Sequence, residues 1–125
     1  MSGSVVITGG AGFIGSHIAE AYLASGWSVT CLDDLSRGKR EQVPAGARFV
    51  QADIRSAEAA ELIADSGFDV INHQAAQIDV RVSVDAPATD ASINLVGFAN
   101  LLGAARKGGV SRVILASSGG VVYGD

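Results

Sequence analysis

The stretch Val5-Val6-Ile7-Thr8-Gly9-Gly10-Ala11-Gly12-Phe13-Ile14-Gly15 decides the fold. Its three leading residues are β-branched and apolar without alternation, the pattern of a short parallel strand buried on both faces. Thr8-Gly9-Gly10 stops that run. Beyond it Phe13, Ile14, His17, Ile18, Ala21 and Tyr22 recur at helical spacing until Ser25-Gly26 supplies a helix stop. The turn between strand and helix satisfies both G-x-G-x-x-G (Gly10, Gly12, Gly15) and G-x-x-G-x-x-G (Gly9, Gly12, Gly15). Glycines there permit a tight reversal, let the backbone approach a pyrophosphate and allow helix to pack closely on strand. The helix start offers unpaired N–H groups and a positive dipole end to phosphates. Glycine-rich turns also serve as plain tight connections, so the surroundings must carry the argument.

Working outward, residues 29–32 form a second strand that ends on the acidic pair Asp33-Asp34. Residues 35–47 hold Gly38, Pro44 and Gly46 among many charges and read as a loop with at most one helical turn. Residues 48–52 are a third strand, and residues 56–66 a helix capped by Ser56 with Glu58 and Glu61 in its first turns. Residues 68–73 are a fourth strand, followed by the small-residue turn Gln74-Ala75-Ala76-Gln77. A long helical pattern starts near Pro87, places Ile93, Leu95, Val96, Ala99, Leu101, Leu102 and Ala105 at apolar positions, and ends at Lys107 before Gly108-Gly109. Residues 112–116 are the fifth strand, with Ser117-Ser118-Gly119-Gly120 after it. Strands separated mostly by helices imply parallel pairing, because parallel neighbours need crossovers and these are right-handed almost without exception. The expectation is an α/β fold, a Rossmann doubly wound parallel sheet of five strands in the order 3-2-1-4-5, with a crevice at the strands' carboxyl ends. Right-handed crossovers would put the first helix on one face and the two later helices on the other.

In that arrangement Asp33 ends the second strand about 20 residues beyond the glycines, where a carboxylate accepts hydrogen bonds from ribose hydroxyls and repels a 2′-phosphate. NAD is favoured over NADP as the cofactor. Arg37, Lys39 and Arg40 could meet a phosphate but read as a solvated loop.

Composition bounds the remainder. At 125 residues, 48% hydrophobic and 18% charged, the chain suits one compact domain, residues 1–125, and its core calls for no disulfide or metal. Cys31 is the sole cysteine. With 9 basic against 13 acidic residues, the basic ones mostly scattered, no nucleic-acid partner is expected. No apolar run approaches the roughly 20 residues that span a bilayer, and Met1-Ser2-Gly3-Ser4 does not start a signal peptide, so no membrane association and a cytoplasmic setting are expected.

With the glycine turn and Asp33 in place, the whole chain resembles the N-terminal part of the extended short-chain dehydrogenase/reductases, in particular the NAD-dependent nucleotide-sugar epimerase/dehydratase family. The matching words are Thr8 through His17, Leu32-Asp33-Asp34-Leu35-Ser36, Asp53-Ile54-Arg55, His73-Gln74-Ala75-Ala76-Gln77, Asn94-Leu95-Val96-Gly97 and Ser117-Ser118-Gly119-Gly120-Val121-Val122-Tyr123-Gly124. The resemblance implies that Gly9, Gly12, Phe13, Ile14 and Gly15 hold the pyrophosphate, Asp33, with Asp34 beside it, the ribose, and Asp53 with Ile54 the adenine. It puts Ala75, Ala76 and Gln77 on the nicotinamide side, with Asn94 nearby and Ser117 as a cofactor neighbour. Each has a plainer alternative. Asp53 would cap the following helix, Asn94 would tie loops to the long helix, and Ala75-Ala76 would be small for packing. His17 reads as a packed or surface residue and His73 as a hydrogen-bonded core residue.

Catalysis in the family uses a Ser or Thr after the fifth strand and a Tyr-x-x-x-Lys pair on the next helix, whose lysine and the cofactor's positive charge lower the tyrosine's pKa for proton abstraction from the sugar. Counting forward from the fifth strand gives Ser118 and counting back from Tyr123-Gly124 gives Gly119, so the turn differs by one residue and leaves the position open, with Ser118 the only hydroxyl that fits. Both serines would otherwise satisfy backbone groups in a turn. No Tyr-x-x-x-Lys pair is present, since no lysine follows Tyr123. The expectation is therefore an NAD-binding half of a nucleotide-sugar epimerase, inactive alone and without the later strands and substrate domain. A dehydratase or reductase of the same family, or a non-catalytic NAD-binding module, are the alternatives. Gly119, Gly120 and Val121 stand where dehydratases carry Asp-Glu, which disfavours elimination of water. Apolar surface left on the first helix's side of strands four and five would promote self-association, and the resemblance implies a homodimer through helices including the long one.

Overall fold

A computed structural model of the chain describes residues 3–76 and 80–116. Strand β1 (Ser4–Thr8) leads through the glycine turn into α1 (Phe13–Ala24), β2 (Ser28–Asp33), β3 (Arg48–Gln51), α2 (Ala57–Ser66) and β4 (Val70–His73). Two short helices follow, α3 (Val80–Asp85) and α4 (Pro87–Ala91). A π-helical turn, Ser92–Val96, then runs into α5 (Gly97–Gly108), and β5 (Arg112–Leu115) comes last. The five strands pair in parallel in the order β3-β2-β1-β4-β5, as the crossover argument requires.

Alternation along the central strands divides the core into two layers. Val6, Leu32 and Ile71 pack with Ile63 of α2 and Leu101, Ala104 and Ala105 of α5. Val5, Ile7, Val29, Cys31 and Val70 pack with Ala19 of α1, and Tyr22 and Trp27 meet edge-on at that layer's border. The first helix and the two later ones therefore lie on opposite faces. Burial pushes the Cys31 thiol up to about 11, with Asp33 adding to the rise, so it stays protonated and inert at neutral pH.

The region after β4 departs from the expectation of one helix starting near Pro87. A separate helix α3 precedes it, and Ala86 breaks the run because the residue before a proline is pushed out of helical conformation, here to φ −137°. Pro87 then occupies the first turn of α4, where its missing N–H costs nothing. At the sheet's far edge Ile114 and Leu115 of β5 are 38% and 53% exposed, whereas every residue of β4 is buried. Among the described residues none of β5 joins the layer under α1.

The helix α5 carries an internal control on packing. A Cβ on Gly108 would lie 2.5 Å from the Ile63 carbonyl oxygen of α2, while one on Gly103 meets nothing within 4 Å. Gly103→Ala should therefore raise stability by up to ~1 kcal/mol through helix propensity. Gly108→Ala should lower it by about 1–3 kcal/mol through overpacking, both read by urea unfolding.

Candidate cofactor-binding site

At the carboxyl ends of β1, β2 and β3 a cleft of about 550 Å³ opens between the glycine turn, the ends of β2 and β3, and the chain after β4. That volume suits a small-molecule site. The glycines divide the work of building it. Gly9 has φ 71°, in the left-handed region, and a Cβ there would press to 2.9 Å from the Ala75 nitrogen. A Cβ on Gly15 would collide with the Gly9 carbonyl oxygen, so this glycine sets how closely α1 sits on the strand end. Gly10 is bare for a different reason: a Cβ would lie 2.5 Å from Cys31 Cβ, deep in the sheet. Only Gly12 has a Cβ position that meets little, Gly9 O at 3.3 Å, and it borders the cleft.

The start of α1 is prepared for an anion. Gly12 provides no side-chain cap and the first turn holds no acid. Helix α2 shows the opposite arrangement, with Ser56 Oγ accepting from Ala59 N–H at 3.1 Å and Glu58 in the first turn. Leading N–H groups that no side chain satisfies favour phosphate or carboxylate. Phe13 and Ile14, 72% and 63% exposed, rim the cleft at this point.

Asp33 is buried at the tip of β2, where Oδ2 accepts from Ala11 N–H at 3.0 Å and Oδ1 from Leu35 N–H at 2.8 Å. One carboxylate thus ties the glycine turn to the β2 loop, lines the cleft and keeps acceptor capacity beyond these two bonds. Leu35 is held at φ 63°, rare for a residue with a side chain. Asp34 turns to Ser36, accepting from its N–H and Oγ at 2.9 and 2.7 Å. In the following loop Arg37, Lys39 and Arg40 are exposed, as read from sequence, while its backbone ties onto the glycine turn. Lys39 N–H donates to Ala11 O at 3.0 Å, a Cβ on Gly38 would crowd the Ala11 carbonyl, and Arg37 and Lys39 line the cleft. Arg40 lies 4.8 Å over the Phe49 ring.

The β3–α2 loop brings Asp53 and Ile54 to the same cleft. Asp53 is not the helix cap, because Ser56 takes that role while the Asp53 carboxylate pairs with Arg55. That pairing holds the Asp53 carboxyl below its usual range, first through the side-chain hydrogen bond from Arg55. The opposite wall is Gln74, Ala75 and Ala76. Thr8, fully buried, fixes it: Oγ1 accepts from Gln74 N–H at 3.0 Å and Ala75 N–H at 3.1 Å and meets His73 Nδ1 at 2.7 Å. With both lone pairs used, the hydroxyl must donate to Nδ1, which fixes the His73 proton on Nε2. His73 stacks on Phe98 at 5.0 Å and is the hydrogen-bonded core residue expected of it. His17 is exposed and bonds Phe13 O.

Gly9, Gly12, Phe13, Ile14, Gly15, Asp33, Asp34, Asp53, Ile54, Ala75 and Ala76 all line one cleft. Asn94 does not; it bonds Asp90 within the helix at 3.1 Å, and its neighbour Ile93 is the lining residue. Gln77, Ser117 and Ser118 lie outside the described residues. Sequence reasoning did not place Gly38, Gln42, Gln74 or Ile93 at the cleft, and the isolated glycine in a basic loop was the one available signal.

A profile of the NAD-dependent epimerase/dehydratase family matches residues 5–125. A UDP-glucose 4-epimerase of Mycolicibacterium smegmatis is 47% identical over 124 residues, covering 95% of this chain and 40% of that protein. Among solved structures, the Thermus thermophilus UDP-glucose 4-epimerase in complex with NAD superposes with a TM-score of 0.86 at 49% identity, covering 93% of this chain and 38% of that one. The Thermotoga maritima UDP-glucose 4-epimerase with UDP-glucose gives 0.89 at 39% identity, covering 94% and 38%. The fold, the cleft and these matches agree, and the chain belongs to the NAD-dependent epimerase/dehydratase family. It spans about 40% of the length of most of the curated relatives it matches.

Burial depresses the His73 pKa below its ordinary 6.5, so the folded state refuses a proton that the unfolded chain accepts. Its contribution to stability is complete above that value and declines as pH falls below it. Urea unfolding should show stability dropping between about pH 7 and 5, with a shallower drop in His73→Asn, which can keep an acceptor for Thr8 but does not titrate.

Proposed function

We propose that residues 1–125 are the NAD-binding domain of a UDP-glucose/UDP-galactose 4-epimerase acting in the cytoplasm in galactose metabolism. The observation that carries this reading is the uncapped start of α1 beside Gly12, joined through Asp33 to a cleft of about 550 Å³. In it the α1 N–H groups bind the pyrophosphate, Asp33 accepts from the ribose hydroxyls, Asp53 and Ile54 face the adenine, and Ala75, Ala76 and Gln77 flank the nicotinamide. Held by the α1 start, Asp33 and the Asp53–Ile54 loop, NAD would supply a reversible hydride acceptor for transient oxidation at C4 of the sugar.

The chain's own part is to bind and orient. Thr8 and His73 hold the nicotinamide wall, and the small Ala75 and Ala76 side chains allow close approach. We assign Ser117 to the cofactor side and Ser118 to the hydroxyl beside the reacting sugar, with proton abstraction by a Tyr-x-x-x-Lys pair outside these residues. A second reading, a binding module without catalysis, is favoured by the commitment of the titratable groups. Asp53 is paired with Arg55, and His73 Nδ1 is closed by Thr8.

Isothermal titration should show NAD bound and preferred over NADP by at least roughly tenfold. Gly12→Val should abolish binding without a matching fall in melting temperature, because its side chain would occupy the anion site. Absence of NAD binding would overturn the proposal. Adding UDP-galactose with NAD tests the rest: binding without turnover fits a cofactor domain, whereas turnover by these 125 residues would overturn the assignment of the base outside them. Homodimer formation or self-association, which exposed Ile114 and Leu115 would favour, should appear as concentration-dependent sedimentation; a single monomer species would count against it.

A further inference from the structure

We propose that Arg55 is the positioning residue that turns Asp53 into a reader of the 6-amino edge of a purine, and so confers selectivity for adenine over hypoxanthine in the cofactor. This rests on the reading of the cleft as an NAD site.

An aspartate at a loop tip, one-third exposed, would ordinarily rotate freely and present no fixed acceptor. Here the Arg55 fork removes that freedom. Asp53 Oδ1 accepts from Arg55 N–H at 2.8 Å and Nε at 2.9 Å, and Oδ2 accepts from Nη2 at 2.6 Å. Nε also reaches Oδ2 at 3.1 Å, so charge-assisted bonds clamp the carboxylate at both oxygens, and with Oδ1 taken by two donors the acceptor capacity that remains is on Oδ2, in a fixed direction. The guanidinium is held from behind as well, since Nη1 donates to Ser92 Oγ at 3.2 Å on the π-helical turn.

The neighbouring backbone is equally fixed. Asn100 Nδ2 donates to Ile54 O at 2.8 Å and Ser56 O at 3.0 Å, and bare Gly97 lets Ile54 pack against the helix, where a Cβ would lie 2.7 Å from Ile54 Cδ1. The Ile54 N–H has no acceptor among the described residues. A fixed acceptor next to a free backbone donor is the complement of adenine, whose N6 amino donates and whose N1 accepts. Hypoxanthine reverses both, with an oxygen at position 6 and a proton on N1. A loosened carboxylate would keep its charge but lose this distinction.

The test is the ratio of two affinities, for NAD and for nicotinamide hypoxanthine dinucleotide, measured by calorimetry on the 125-residue chain. The wild-type chain should prefer NAD by roughly tenfold, as for a two-point contact to a base edge. Arg55→Gln should bring the ratio to within about threefold, and Arg55→Lys should do the same because an ammonium cannot form the fork. Ser92→Ala should lower the ratio part of the way. A merely structural role would weaken both dinucleotides together and leave the ratio untouched, so an unchanged ratio in Arg55→Gln and Arg55→Lys overturns the inference. Equal wild-type affinities would remove adenine reading by Asp53 and Ile54, and the inference with it. If neither dinucleotide binds, the NAD reading itself fails.

Discussion

The Gly9 carbonyl oxygen lies where any side chain on residue 15 would have to begin. That single close approach brings the first turn of α1 down onto the end of β1. Its consequences spread outward: the helix's leading N–H groups come level with the strand ends, and Ala11 falls within reach of both Asp33 and Lys39. The cleft is therefore a by-product of how tightly one helix can sit on one strand. A looser turn would preserve the sheet and lose the site.

The two aspartates that line the cleft illustrate different ways of holding a charge. Asp33 is buried and satisfied by backbone amides, so its position follows from the main-chain path alone. Asp53 is a third exposed and depends on another side chain for its orientation. The first is tied to the fold and can change only with the turn it stitches; the second can be retuned by substitution two residues away. Buried carboxylates of the first kind are retained only where the amide partners are already in place.

Much of this was legible in the sequence. The β-branched run before the glycines, the acidic pair after the second strand and Ser56 ahead of its helix each act locally, so order, layers and most lining residues could be read from residue types alone. What stayed hidden depends on distant partners. Gly10 looks like part of a phosphate motif, yet its bareness answers to Cys31 on the neighbouring strand. The loop holding Arg37 and Lys39 is exposed, as its polarity indicates, but only its bond to Ala11 places it on the cleft. Helix α3 was masked by its own composition, because Val80-Arg81-Val82-Ser83-Val84-Asp85 alternates as a strand would.

The π-helical turn at Ser92–Val96 changes the phase of the long helix. Each residue advances an α-helix by about 100°, so one extra residue in the winding rotates everything before it relative to everything after it by roughly that angle. Ile93, inside the slip, both lines the cleft and packs against the core in which Leu101, Ala104 and Ala105 are seated. One continuous rod thereby seals the core along its length and lends the cleft a wall at one end, and at Ile93 a single side chain answers to both.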